Sequence, residues 1–277
     1  MAKLYLVGLG PGSLDLMSVR AQEVIKSVDV VVGYGLYVKL IASLIDKQAL
    51  VRTGMTKEWQ RADAAIKHVQ EGKDVALVCS GDAGMYAMSP LVFELLSSQD
   101  IDIEVETVPG ITAANACASL VGAPLGHDSC TISLSDLLTP WEVITRRIEA
   151  AAMADFAITF YNPRSKKRQN HIIEAQQILL KHRPADTPVA VVNAAYREEQ
   201  SVQLSTLDKF TELEFGMNAA VIVGNESSYR FNDLIVTPRG YKNKYTLEDG
   251  ETREGQTPGR SLKQESKDLK QKGEEVV

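Results

Sequence analysis

Cysteine is scarce in this 277-residue chain, which holds only Cys79, Cys117 and Cys130. An odd number without C-x-x-C spacing excludes a disulfide framework and a structural zinc or iron–sulfur site. The three read as small buried hydrophobes, and no metal site is expected. Aromatic residues make up only 6%, too few for the stacking platforms that bind single-stranded nucleic acid. A basic excess is also missing: 30 Lys and Arg face 36 Asp and Glu. That balance argues against nucleic-acid and anionic-membrane partners. No apolar run approaches the ~20 residues that span a bilayer. The start of the chain lacks a basic stretch leading into an apolar one, so a cytoplasmic protein is expected. G-x-x-x-x-G-K-[ST] is absent, which removes P-loop chemistry.

What is present is alternation. Short β-branched runs at 3–7, 29–32, 49–52, 75–79 and 103–108 are interleaved with segments of helical period at 17–28, 36–45, 58–70, 90–96 and 113–120. This order predicts an α/β fold with a mostly parallel sheet and right-handed crossovers. Gly122-Ala123-Pro124-Leu125-Gly126 is the best interior breaker. It divides an α/β domain over 1–123 from a second over 124–241, whose last strands read as more antiparallel. Residues 242–277 carry eight Lys/Arg and eight Asp/Glu with few apolar side chains. Such a segment buries too little surface to offset its ordering entropy, and a solvated, partly disordered tail is expected.

Three small-residue turns stand where strands should end: Gly8-Leu9-Gly10-Pro11-Gly12, Ser80-Gly81-Asp82-Ala83-Gly84-Met85-Tyr86, and Pro109-Gly110-Ile111-Thr112-Ala113-Ala114-Asn115-Ala116. Glycine lets backbone approach a ligand closely, so the three turns predict one small-molecule site at the carboxyl edge of a sheet. The site is not a dinucleotide fold's. Ser13 replaces the third glycine of G-x-G-x-x-G, Pro11 lacks a donor, and Gly33 and Tyr34 occupy the place of the ribose-binding acid. Asp82 suits two roles, a ligand-binding carboxylate or an Asx-turn that orders its own loop.

Together the three turns resemble the tetrapyrrole methylase family, with its G-x-G-P-G loop, G-D-x-x-x-Y segment and P-G-I-T-A-x-x-A run. The resemblance covers residues 1–240. Within the family, Gly33-Tyr34-x-x-Tyr37, Gly54-Met55-Thr56-x-Glu58 and Phe160-Tyr161-Asn162-Pro163-x-Ser165 resemble the members that act at C-17 of the corrin precursor in cobalamin synthesis. The resemblance implies two α/β domains with the active-site cleft between them, a homodimer, and S-adenosyl-L-methionine as cofactor. The substrate it implies is precorrin-3B or cobalt-precorrin-3, methylated with ring contraction. A different precorrin methylase or a diphthine synthase-like protein methylase is the alternative.

Carried over by motif, the cofactor meets Leu9 and Pro11 in the first turn and Ser80, Gly81, Asp82, Met85 and Tyr86 in the second. Thr112 and Ala113 follow from the third. Tyr161, Asn193, Ala194 and Val223 from the second domain enclose the adenine. Tyr34, Tyr37 and Met55 face the substrate. Arg164, Lys166 and Lys167, with Arg168, form either a solvated basic face or a clamp for substrate carboxylates. Ring contraction needs proton transfer, for which His127, Asp128, Ser135 and Asp136 are the candidates.

Overall fold

The computed structural model describes residues 2–165 and 168–263. Residues Met1–Thr237 form one compact unit and the segment from Pro238 another. The first half of the larger unit runs β1 (Lys3–Gly8), α1 (Val19–Ser27), β2 (Val30–Tyr34), α2 (Gly35–Leu40), β3 (Ala49–Thr53), α3 (Glu58–Gln70), β4 (Val75–Cys79), α4 (Ser89–Ser98), β5 (Glu104–Val108) and α5 (Ala113–Ser119). The strands form a parallel sheet of order β3-β2-β4-β1-β5.

Both faces of this sheet are covered, and the sequence shows why. Leu4, Leu6, Val30, Val32, Val75 and Leu77 pack with α3 and α4 on one face. The intervening Val7, Val31, Ala76 and Val78 pack with α1 and α2 on the other. Strands apolar at every position satisfy both layers, with a two-residue period deciding which side chain goes where. Each fully buried Val or Leu contributes about 1.5–3 kcal/mol. β1 and β4 are neighbours, yet the chain leaves β1 for the α1 face and β4 for the α4 face. Their exits diverge and leave a crevice at the carboxyl edge, the switch point of an open α/β sheet.

The second half adds β6 (Gly122–Ala123), β7 (Ser129–Ser133), α6 (Trp141–Met153), β8 (Ala157–Tyr161), α7 (His171–Leu179), β9 (Pro188–Asn193), β10 (Ser201–Thr206), β11 (Ala219–Val223), β12 (Tyr229–Phe231) and β13 (Leu234–Val236). Its sheet has the order β10-β9-β11-β8-β7. β7 and β8 are parallel, whereas β11 runs antiparallel to both β8 and β9. α6 and α7 cover the face of Ile158, Phe160, Val189, Val191 and Val221. The opposite face, with Ala190, Val192, Ala220 and Ile222, packs on Ala116, Cys117 and Ala118 of α5. The last helix of the first half is thus the floor under the second sheet.

The expected breaker at 122–126 is held in place. Gly122 and Ala123 pair with Ile235 and Val236, and Pro124 O accepts from Thr237 Oγ1 at 2.6 Å. A two-residue strand is too short to show periodicity, so sequence reading missed β6. Beyond Pro238 the charged segment is exposed but locally ordered through 263, with a Tyr245–Thr252 bridge closed around Asp249-Gly250. Turn chemistry organises these residues where burial does not.

Candidate active site

The first sheet's motif glycines meet backbone to backbone. A Cβ on Gly8 would stand 2.7 Å from Gly110 N and 2.8 Å from Gly81 O. One on Gly110 would collide with Gly81 O and stand 2.8 Å from the Gly8 carbonyl carbon and oxygen. Because β1 lies between β4 and β5, the turns after β4 and β5 close over the end of β1, and only residues without side chains fit there. Gly10 and Gly81 exchange two backbone hydrogen bonds of 3.0 and 2.7 Å. Asp82 secures the junction: Oδ1 accepts from Gly84 N at 2.8 Å and Oδ2 from Gly110 N at 3.0 Å. The Asx-turn role proposed from sequence is present, extended to a tie between two turns.

Side chains of the second sheet reach back to these turns. Tyr161, at the end of β8, accepts from Ala114 N at 2.8 Å and shares a hydroxyl–hydroxyl hydrogen bond with Thr112 Oγ1 at 2.7 Å. Burial pushes its hydroxyl pKa up. In the opposite direction, Tyr86 Oη donates to Thr131 O at 3.0 Å, and Met85 Sδ accepts from Thr131 Oγ1 at 3.8 Å. Arg197, in the turn after β9, donates through Nε to Pro11 O at 2.7 Å and through Nη2 to Ser80 Oγ at 2.6 Å. A Cβ on Gly12 would stand 2.9 Å from the Arg197 Cγ and Nε. Tyr86, Asn162, Ala194 and Tyr196 all hold left-handed backbone here. Such conformations cost of order 1 kcal/mol or more each and concentrate where a site imposes them.

The turns enclose a cavity of about 160 Å³. Pro11, Ser80, Gly81, Ala113, Tyr161 and Ala194, all expected at the cofactor, line it, as does Tyr37. Seven expected residues are not part of its lining. Asp82, Met85, Tyr86 and Thr112 instead make the contacts described above among the turns and with the second sheet. Leu9 is fully buried in the core under α1. Asn193 turns its amide to Ser201 Oγ. Val223 pairs with Val189, at the far end of β9. Because β11 is antiparallel, its first residues, Ala219 and Ala220, line the cavity together with Met217 and Asn218. Sequence reading missed these, and also Ala116, Cys117, Asn162 and Arg197. Strand direction, invisible in a period-two pattern, was the deciding signal.

Of the residues expected to face a substrate, Tyr34 and Tyr37 pack edge to face, with centroids 5.2 Å apart. Arg61 lies 5.9 Å from the Tyr34 ring, donates to Thr53 Oγ1 at 2.7 Å and Gly54 O at 2.9 Å, and is only 5% exposed. It thereby anchors the turn that presents the exposed Met55. The carboxylate clamp is not built at Arg164: its guanidinium donates to Leu213 O and Thr211 O and stacks on Phe215. Lys166 and Lys167 lie outside the described residues.

The four acid/base candidates separate into two pairs. His127 and Asp128 precede β7, where Asp128 O accepts from Ala157 N at the start of β8. Ser135 and Asp136 follow β7, about 13 Å of strand away, on the edge that carries the cavity. The first pair is therefore at the wrong end of the sheet. The second has partners sequence reading did not name for this role: Arg168 Nη1 donates to Ser135 Oγ at 2.7 Å, and His171 Nε2 lies 3.7 Å from Asp136 Oδ2. His171 Nδ1 faces Leu134 O at 3.0 Å. A carbonyl only accepts, so Nδ1 carries a proton donated to Leu134 O, and Nε2 is the nitrogen that faces Asp136. Trp141 stacks on the ring at 4.0 Å.

Cys117 lines the cavity, but burial pushes its thiol up to about 12, and that of Cys79 up to about 11. At pH 8 the thiolate fractions are roughly one in ten thousand and one in a thousand. Alkylation of the folded protein by iodoacetamide at pH 8 is accordingly expected to spare both. Rapid modification there, read by peptide mass spectrometry, contradicts this burial. Among the described residues no three His, Cys, Asp or Glu side chains converge as metal ligands, and no helix is long and apolar enough to cross a membrane.

Two packed α/β halves meet at a cavity between their sheet edges, lined by Gly81 and several alanines together with Tyr37, Tyr161 and Arg197. The chain belongs to the Tetrapyrrole (Corrin/Porphyrin) Methylases, whose family model matches residues 3–211. It is 48% identical over 279 residues to the cobalt-factor III methyltransferase of Priestia megaterium, covering 99% of this chain but 51% of that protein. The chain thus spans about half the length of that relative. It is also 48% identical over 238 residues to a probable cobalt-factor III C(17)-methyltransferase of Salmonella typhimurium, covering 86% of this chain and 99% of that one. The crystal structure of the methyltransferase CobJ aligns with a TM-score of 0.82 at 35% identity, over 86% of this chain and all of that one.

Proposed function

We propose that this chain transfers a methyl group from S-adenosyl-L-methionine to C-17 of precorrin-3B or its cobalt-bearing counterpart, with contraction of the ring. The observation that carries the reading is the cavity itself. Gly81, Ala113, Ala116, Ala194, Ala195, Ala219 and Ala220 make part of its wall flat, while Tyr37, Tyr161, Asn162 and Arg197 bring polar groups to the rest. A Cβ on Gly81 would extend toward Ala113 N, to 3.7 Å. Flat walls of this kind suit a purine and a thioether-like chain. When bound, the sulfonium supplies an electrophilic methyl group for in-line displacement.

The chain's own contribution is position. Glycine contacts and the Asp82 tie hold three turns rigid, while Tyr161 and Arg197 fix the second sheet against them. Holding reactants in line is worth up to about 7–11 kcal/mol in favourable intramolecular cases. The raised Cys117 thiol keeps a competing nucleophile out of the cavity at neutral pH. Exposed apolar side chains at both carboxyl edges, Met55, Trp59, Leu137 and Leu138, offer surface for a macrocycle.

Asp136 and His171 are the proton-handling pair for contraction, and Arg168 holds the Asp136 carboxylate. Asp136→Asn is expected to retain methylation while losing most of the contracted product, separated by mass spectrometry and absorption spectra. Equal loss of both products would assign Asp136 to folding instead. The reading as a whole is tested by incubating labelled S-adenosyl-L-methionine with the tetrapyrrole, with and without cobalt. Label absent from the macrocycle in both arms rejects it. The family resemblance brings with it a cytoplasmic homodimer, which sedimentation equilibrium and cell fractionation test.

A further inference from the structure

The cavity contains a guanidinium that nothing neutralises. Arg197 uses Nε and one Nη2 hydrogen on Pro11 O and Ser80 Oγ. Its other three N–H groups have no partner among the described residues, and no carboxylate there comes within 4.0 Å. The side chain lines the cavity alongside Tyr37. Its turn is pre-formed: Arg197 N donates to Ala194 O at 3.0 Å, Tyr196 N to Gln200 Oε1 at 2.7 Å, and Tyr196 Oη pairs with Ser119 Oγ at 2.8 Å. Gly12, lacking a Cβ, leaves the space the side chain occupies. A half-buried cation with free donors, held on a rigid turn beside a phenol, is arranged for a carboxylate.

We infer that Arg197 is the carboxylate-recognising residue of this cavity, joining the two halves through Pro11 and Ser80 while its free edge binds an acidic group of the ligand. The inference rests on the cavity being the methyl-donor site described above. It also replaces the clamp expected at Arg164, whose guanidinium turns away to two backbone carbonyls and the Phe215 ring. Two acids could meet it, the amino-acid carboxylate of the donor or an acetate or propionate of the tetrapyrrole.

Calorimetric titration of wild type and Arg197→Gln with S-adenosylhomocysteine, with methylthioadenosine and with the tetrapyrrole separates them. Methylthioadenosine lacks the carboxylate and serves as the internal control. A 10- to 100-fold loss for S-adenosylhomocysteine, with methylthioadenosine unchanged within about twofold, assigns the donor's acid. The same loss confined to the tetrapyrrole, and lessened by salt, assigns the substrate's. Equal loss for all three ligands, or none for any, overturns the inference. Should the glutamine variant fail to fold, Arg197→Lys and the salt dependence of the wild-type preference carry the same comparison. Wild type binding neither adenosyl compound would overturn the donor-site reading itself, a result distinct from an unchanged variant.

Discussion

Replacing Gly110 with alanine is expected to remove methyl transfer, with a fall of at least about 100-fold, and to lower stability by about 3 kcal/mol. The added methyl group would overlap Gly81 O and press on the Gly8 carbonyl. Both obstacles are backbone at the ends of central strands, so neither can swing away as a flexible side chain would. Overpacking of this kind costs about 1–3 kcal/mol, more where relaxation is blocked. The turn after β5 must lift, carrying Thr112 and Ala113 with it. A displacement of about 1 Å at a reacting centre is enough for a 100-fold loss. Urea unfolding with single-turnover kinetics measures both effects. Gly54→Ala is the matched control, because nothing lies within 4 Å of its added Cβ. Wild-type rates in Gly110→Ala would show that the three turns do not need their close approach.

Asp82→Ala is expected to weaken S-adenosylhomocysteine binding about 10- to 100-fold and stability by about 1.5–3 kcal/mol, while the fold persists. The carboxylate accepts from Gly84 N and Gly110 N at once. Its removal leaves two donors without their charged acceptor, and hydrogen bonds to charged groups contribute about 1.5–3 kcal/mol. Water can replace the acceptor at exposed Gly84 but less readily at Gly110, so the turn after β5 loosens more. Asp82→Asn keeps one acceptor oxygen, can satisfy one donor only, and should fall between. Affinity unchanged in both variants would mean that the tie does not set the geometry of the cavity.

The first sheet was legible at almost every step. Val75–Cys79 and Glu58–Gln70 were readable to the residue, because a run of five β-branched or apolar residues and a clear helical period leave little choice. The three glycine turns were legible as a place of close approach, but only the structure shows that Gly8 and Gly110 serve backbone contact while Gly81 lines the cavity. The roles of individual side chains were less legible. Leu9 sits inside a motif and yet points into the core, because alternation along the strand continues one residue past its end. Val223 and Ala219 differ by four positions in one apolar strand, and nothing local says which end faces a ligand.

The amino-acid pattern alone determined the alternating elements, the glycine turns and the absence of a cysteine framework, because each depends on periodicity or on a residue's own conformational range. Tertiary structure decided which charges face the cavity. Arg164 and Arg197 look alike as letters and each makes two hydrogen bonds, but one turns to the carbonyls of Thr211 and Leu213 and stacks on Phe215, whereas the other lines the cavity. It also decided that Ser135 and Asp136, not His127 and Asp128, share an edge with the site, and that Asp136 meets His171, 35 positions away. Such pairings depend on strand direction and sheet order, which long-range packing sets and no short stretch of sequence contains.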